Sequence, residues 1–157
     1  MVEVTKHRWV DAPVERLWTL VDDPAELARW FKFADSIELI EGRGVGRRQR
    51  LHGRWGKKKS EIDQEVTRYE PPHFLGWRHV EERLDGRPAP VFARSTEASI
   101  ELRPDGPGTR VVLTSVQEPA SVLKGIVIRL FGKREVARTF DRSLDALMKL
   151  LRPDDRP

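Results

Sequence analysis

Residues Val2 to Asp11 scatter β-branched and aromatic side chains among polar ones, the pattern of a half-buried strand. The period then changes. Pro13 suits a first helical position, and Val14, Leu17, Trp18 and Val21 follow at the i, i+3, i+4, i+7 spacing that lines one helix face. Asp22-Asp23-Pro24 ends that helix and begins another, with Asp23 as cap, Pro24 pre-setting the first φ angle and Glu26 completing a D-x-x-E capping pattern. Leu27, Trp30 and Phe31 give this second short helix its apolar face.

From Ser36 onward the punctuation is that of antiparallel strands. Gly42-Arg43-Gly44, Gly53 to Gly56, Pro71-Pro72, Asp85-Gly86 and Asp105-Gly106-Pro107-Gly108 separate the runs Ser36–Glu41, Arg47–Trp55, Glu61–Glu70, Phe74–Arg83, Val91–Arg103 and Thr109–Gln117. With the first strand these make seven, and their turns are too short for parallel crossovers, so the sheet is expected to be an antiparallel meander. After Pro119 the pattern turns helical for about thirty residues. Leu123, Ile126, Leu130, Ala137, Phe140, Leu144, Leu147 and Leu151 form the stripe of a long helix lying on something apolar. Gly125 and Gly132 loosen its first third.

The expected order is β-αα-β6-α, an α+β domain in which a curved seven-stranded antiparallel sheet surrounds one long C-terminal helix. One helix cannot cover seven strands, so side chains or a ligand must fill the space between them. Residues 1–152 read as one ligand-binding domain and residues 153–157 as a polar tail. The length of 157 residues suits a single domain with its own core. The chain has no Cys, which excludes disulfides, a thiolate nucleophile and Cys-ligated metals, and a reducing cytoplasm suits it. The start, MVEVTKHRWV, lacks an apolar signal core, and no run approaches the length of a membrane span. A cytoplasmic protein is the expectation.

Several segments in order resemble one superfamily. They are VDAPVERLWTLVDDPAELARW at 10–30, Gly44-Val45-Gly46-Arg47, YEPPHFLGW at 69–77, PDGPGTRVVL at 104–113 and SLDALMKLL at 143–151. In these the chain resembles the START/Bet v 1-like (SRPBCC) superfamily, and within it the bacterial polyketide cyclase/dehydrase-like group. The resemblance implies the helix-grip fold over nearly the whole chain. For activity it implies a container, because this fold serves lipid carriers, ligand-gated binders, aromatase/cyclases and chaperone co-activators alike.

Strand parity then selects a lining, since alternate residues share a face. On 74–83 the odd set, Leu75, Trp77, His79 and Glu81, is placed inward, as the aromatic after the Pro-Pro turn faces the helix in the family it resembles. On 91–103 Ile100 and Leu102 carry Phe92, Arg94, Thr96 and Ala98 inward, and on 61–70 Ile62 and Val66 carry Gln64. On 109–117 the inward set is Val111, Leu113 and Ser115. Trp18, Trp30 and Trp77 are candidate cavity walls, as are Phe140 and Leu144 on the long helix, whereas Trp9 and Trp55 suit strand packing. The expected ligand is a small hydrophobic or amphipathic molecule, lipid or polyketide-like, oriented by Gln64, His79 and Arg94. Were the protein a cyclase or dehydratase, acting without a cofactor, Arg94 would stabilise an enolate oxygen and His79 would move the proton.

His7, His52, His73 and His79 show no metal-ligand spacing, so no metal is expected. Gly42-x-Gly44-x-Gly46 precedes a strand rather than a helix and reads as a hairpin turn, not a phosphate loop. The net charge of +4 conceals a sharper pattern. The segment Arg43 to Lys59 carries eight Lys/Arg and no acid, while the rest of the chain holds 21 basic and 25 acidic side chains. Arg43, Arg47, Arg48, Arg50, Arg54, Lys57, Lys58 and Lys59 form this ribbon. Parity puts Arg48, Arg50, His52 and Arg54 on a solvated outer face, with Gln49, Leu51 and Trp55 opposite. The charge run reads first as a solvated face and second as a docking patch for an acidic partner protein, such as a carrier protein delivering a tethered substrate; in a chaperone-associated module the same ribbon would carry the interaction. Nucleic acid is disfavoured because no stacking aromatics interleave with the exposed charges.

Overall fold

The computed structural model describes residues 1–152; the expected polar tail at 153–157 lies outside the described residues. The strands are β1 (Val2–Val10), β2 (Ser36–Glu41), β3 (Arg48–Trp55), β4 (Lys58–Glu70), β5 (Phe74–Leu84), β6 (Arg87–Pro88), β7 (Ala93–Asp105) and β8 (Gly108–Pro119). Between β1 and β2 lie α1 (Val14–Asp22) and α2 (Pro24–Leu27), and Asp23 caps α2 by accepting from Ala25 N at 2.9 Å. The C-terminal helix comprises α3 (Val122–Val127), a π-helical stretch (Ile128–Gly132) and α4 (Lys133–Leu151).

All strand pairs are antiparallel, in the order β1-β8-β7-β5-β4-β3-β2. The two residues of β6 extend the edge of β5 and add to the seven expected strands. The last strand thus lies beside the first, and the helices cover one face of the curved sheet. The fold is the Bet v 1-like helix grip. Salt bridges Lys6–Asp141 (3.4 Å) and Arg8–Asp145 fasten β1 to α4. Lys32 N donates to Ser143 Oγ at 2.9 Å, tying the segment after α2 to the same helix. At the start of β8 the backbone passes hard against β1. A Cβ on Gly108 would run into the Val10 carbonyl oxygen and lie 2.6 Å from Trp9 Cζ2, so only glycine fits there.

The core is continuous from α1 and α2 through the sheet to α4, with Leu17, Trp30, Leu75, Ile100, Leu113 and Leu144 fully enclosed. Here the long-helix expectation is corrected in its first third. Phe140, Leu144 and Leu147 are buried as the stripe requires, but Leu123, Ile126 and Leu130 are exposed, and Gly125 and Ile128 face the protein instead. The π-helical stretch is the physical reason. Its wider turns rotate the upstream residues out of phase with α4. Gly125 sits against Pro119, where a Cβ would be 3.2 Å from the ring.

Candidate functional site

A cavity of about 160 Å³ lies between the sheet and α4. Four aromatic residues form much of its wall. Phe31 meets Trp77 edge-on at 5.5 Å, Phe31 and Phe33 are 5.0 Å apart, and Phe33 meets Phe140 at 5.4 Å. Gln64, His79, Thr96 and Ser115 supply the polar interruptions. The aromatic enclosure follows from two sequence facts. The WFKF run after α2 turns Phe31 and Phe33 inward on alternate positions, and Trp77 follows Leu75 on the inner face of β5.

Behind this wall runs a chain of hydrogen bonds pointing in one sense. Arg47 Nη1 donates to the Asp22 carboxylate at 3.0 Å and the Asp22 carbonyl at 2.9 Å, and Nη2 donates to Gln49 Oε1 at 3.2 Å. Gln49 Nε2 donates to Gln64 Oε1 at 2.9 Å, and Gln64 Nε2 lies 3.3 Å from His79 Nε2. His79 Nδ1 lies 2.9 Å from Glu82 Oε1. With the ring proton on Nδ1, His79 accepts from the Gln64 amide at Nε2 and donates to Glu82 from Nδ1. The His79 hydrogen bond holds the Glu82 carboxyl below its ordinary pKa, against the effect of burial. Two buried side-chain nitrogens among the described residues lack a partner, Arg47 Nε and Trp77 Nε1.

Of the residues selected from sequence, Gln64, Trp77, His79 and Phe140 line the cavity, with Ile62, Thr96, Ala98 and Ser115 beside them. The others are placed elsewhere. Trp30, Leu113 and Leu144 are core residues, and the Trp30 indole N–H donates to Leu20 O at 2.8 Å. Trp18 packs edge-on against Tyr69 at 5.6 Å, away from the cavity. Arg94 is exposed on an outer surface depression, and Phe92 stands partly exposed at the rim. A β-bulge between Ala93 and Ser95 breaks the alternation that the sequence reading extended from Ile100 back to Phe92. A second irregularity, where Asp63 and Gln64 pair with Glu81 and His79, passes Val80 over and turns Glu81 outward, so that Glu82 takes the inward place. Phe31, Phe33, Leu51, Gln117 and Val136 complete the lining without having been selected. Parity on β3 already puts Leu51 on the inner face, and the Val111, Leu113, Ser115 set on β8 extends to Gln117. Phe31 and Phe33 needed the path of the segment after α2.

The basic ribbon is divided. Arg47 is buried in the inner hydrogen-bond chain, whereas Arg48 and Arg50 pair across the outer face with Glu65 (2.9 Å) and Asp63 (2.7 Å) on β4. Arg83 adds two contacts to Asp63, at 3.0 and 3.1 Å. Burial raises the Asp63 pKa, but hydrogen bonds from Arg50 and Arg83 outweigh it and hold the group at about 2. A depressed carboxylate contributes stability above its unfolded value near 3.8 and loses it as pH falls through the folded value. Asp63→Asn is therefore expected to cost about 1–2 kcal/mol at pH 7, after solvent screening. The difference from the parent should shrink between pH 4 and pH 2, as urea melts across that range would read out. Arg43, Arg54 and Lys57 to Lys59 make no salt bridge among the described residues. Trp55, expected to pack within its strand, is exposed beside a groove of about 270 Å³ that Phe92 also lines. Groove and cavity share Ile62, Thr96 and Gln117.

No group of three or more His, Asp or Glu residues is placed to hold a metal ion among the described residues, and no helix there is long and apolar enough to cross a membrane. The sequence profile of a family described as "Polyketide cyclase / dehydrase and lipid transport" matches residues 1–152. No curated protein matches the chain. Among solved structures, a protein from Thermus thermophilus is similar at 23% identity, covering 94% of this chain and 95% of the other, with a TM-score of 0.73. A protein from Nitrosospira multiformis is similar at 19% identity over 99% of this chain and 100% of the other, TM-score 0.71. Ara h 8.0201 shares the fold at 13% identity over 93% and 97% of the two chains, TM-score 0.66.

Proposed function

The chain belongs to the polyketide cyclase / dehydrase and lipid transport family, and on that premise we propose that it binds one small amphipathic molecule, its apolar end in the cavity and its remainder along the groove toward Phe92 and Trp55. The family and fold support a ligand-binding role, and the observation that carries this reading is the aromatic cavity interrupted by the polar side chains of Gln64, His79, Thr96 and Ser115. An engineered apolar cavity of about 150 Å³ takes up benzene, so a volume of about 160 Å³ suits a single ring or a short chain. That narrows the expectation of a lipid or polyketide. A fused-ring polyketide or a long acyl chain exceeds the cavity and must extend into the groove through the shared border of Ile62, Thr96 and Gln117.

The alternative, a cyclase or dehydratase, finds its support in the His79–Glu82 pair, an imidazole backed by a carboxylate at the cavity wall. Binding is favoured because both ring nitrogens of His79 are already engaged, Nε2 with Gln64 at 3.3 Å and Nδ1 with Glu82 at 2.9 Å. Titration with 2-naphthol and with decanoate, followed by calorimetry, tests the reading. Saturable one-to-one binding is expected for at least one probe, weakened about tenfold or more by Ala98→Phe, which fills the cavity from the sheet side. Binding of neither probe, or full binding by the filled variant, would overturn it. Under this reading His79→Leu alters affinity; loss of turnover with affinity kept would instead make the protein an enzyme.

A further inference from the structure

The C-terminal helix opens with an unusual surface. Val122, Leu123, Ile126, Val127, Leu130 and Phe131 are between 37% and 87% exposed, on a segment whose buried members are Gly125 and Ile128. From Ala120 to Arg134 there are four basic residues, Lys124, Arg129, Lys133 and Arg134, and no acid. A monomeric protein rarely leaves so many contiguous large apolar side chains in water without a use for them.

The surface extends beyond the helix. Lys124 Nζ donates to Val91 O at 2.7 Å and Ala120 N to Phe92 O at 3.0 Å, which fixes the loop carrying the exposed Val91 and Phe92 against the start of the helix. Phe92 shares its groove with Trp55, and beyond Trp55 the tip of the β3–β4 hairpin presents Lys57, Lys58 and Lys59 to solvent. One rim of the molecule therefore carries apolar and aromatic side chains at its centre and lysine and arginine around them.

We propose that this rim docks onto an anionic lipid bilayer, with Leu123, Leu130, Phe131 and Trp55 entering the boundary between headgroups and acyl chains while the flanking Lys and Arg meet the lipid phosphates. Apolar residues alternating with cations along a helix suit an interfacial position, and tryptophan favours the same depth. A second copy of the chain fits less well. A twofold contact sets a patch against itself, and here it would bring the four cations of residues 120–134 against their own duplicates. Nucleic acid would leave the apolar side chains unused. The proposal is independent of whether the cavity takes a ligand.

Sedimentation of the full chain with large unilamellar vesicles tests it. Vesicles of phosphatidylcholine with 30% phosphatidylglycerol are expected to bind at least tenfold more tightly than phosphatidylcholine alone, and less so in 0.5 M NaCl than in 0.1 M. Leu130→Glu combined with Phe131→Glu should reduce that binding tenfold or more at unchanged melting temperature, because both side chains are exposed in the free protein. Lys57→Glu with Lys58→Glu should reduce it less and flatten its salt dependence. Failure to bind the anionic vesicles, or equal binding by the Leu130/Phe131 variant, would overturn the proposal. So would a dimer that the same variant dissolves in the absence of vesicle binding, which would assign the rim to a second copy, or retention by an acidic protein in place of vesicles.

Discussion

Trp77→Ala is expected to destabilise the protein by about 3 kcal/mol, at the lower end of the range of about 3–5 kcal/mol for removing a buried aromatic ring. Trp77 is 2% exposed on the central strand β5, and its ring meets Phe31 edge-on at 5.5 Å. The truncation removes contact on the aromatic wall and adds its volume to an existing cavity that the surrounding sheet cannot close. The lower end applies because the indole N–H has no partner, and deleting it removes an unfavourable buried donor. Trp77→Phe separates the two contributions. It keeps most of the ring and discards the N–H, so it should fall within about 1 kcal/mol of the parent. Urea denaturation at constant m-value measures both. A loss below about 1 kcal/mol for the alanine variant would mean that this wall carries no packing. Indole added to the alanine variant should raise its melting temperature by occupying the enlarged space, as mass action requires.

The second large effect contrasts two neighbours in the basic ribbon. Arg47→Ala is expected to cost about 2–3 kcal/mol, and Arg48→Ala less than about 1 kcal/mol. Arg47 is 5% exposed and holds Asp22 and Gln49 at the head of the inner hydrogen-bond chain. Without it Gln49 Oε1 loses its donor in a buried position, and the restraint on Gln64 and His79 is released from one end. The cost stays below that of a fully enclosed ion pair because the Asp22 side chain is partly exposed and can rehydrate. Arg48, one residue on, meets Glu65 at 2.9 Å on the solvated face, where attraction and desolvation nearly cancel. Equal midpoints for the two variants would contradict the inward placement of Arg47.

These two positions also show how far the sequence alone reaches. The identity of the ribbon as eight Lys/Arg without an acid is plain in the sequence, but its neutralising acids lie on the next strand, and Glu65 and Asp63 come opposite Arg48 and Arg50 only through the β3–β4 register. The hairpin turns, the Asp23 cap, the order of elements and the inward faces of β3, β4 and β8 follow from local chemistry: glycine and proline at turns, a period of two in strands and of about three and a half in helices. Gln64, Trp77, His79 and Phe140, which line the cavity, are therefore legible as inward residues in the sequence.

What the tertiary structure decided is everything that depends on a break in those periods or on contacts between distant segments. A bulge beside Arg94 and the irregular pairing at Val80 reversed the faces of Arg94 and Glu81, because one unpaired residue flips each side chain on that side of it. The π-helical stretch turned Leu123, Ile126 and Leu130 from the core to the surface by the same kind of slip in a helix. Cavity volume belongs to this class as well. It is the small remainder between two large volumes, the space enclosed by the sheet and helices and the side chains that fill it, and no local pattern encodes that difference. Sequence thus determined the container and most of its inward positions; the packing determined its capacity of about 160 Å³ and left its apolar rim exposed.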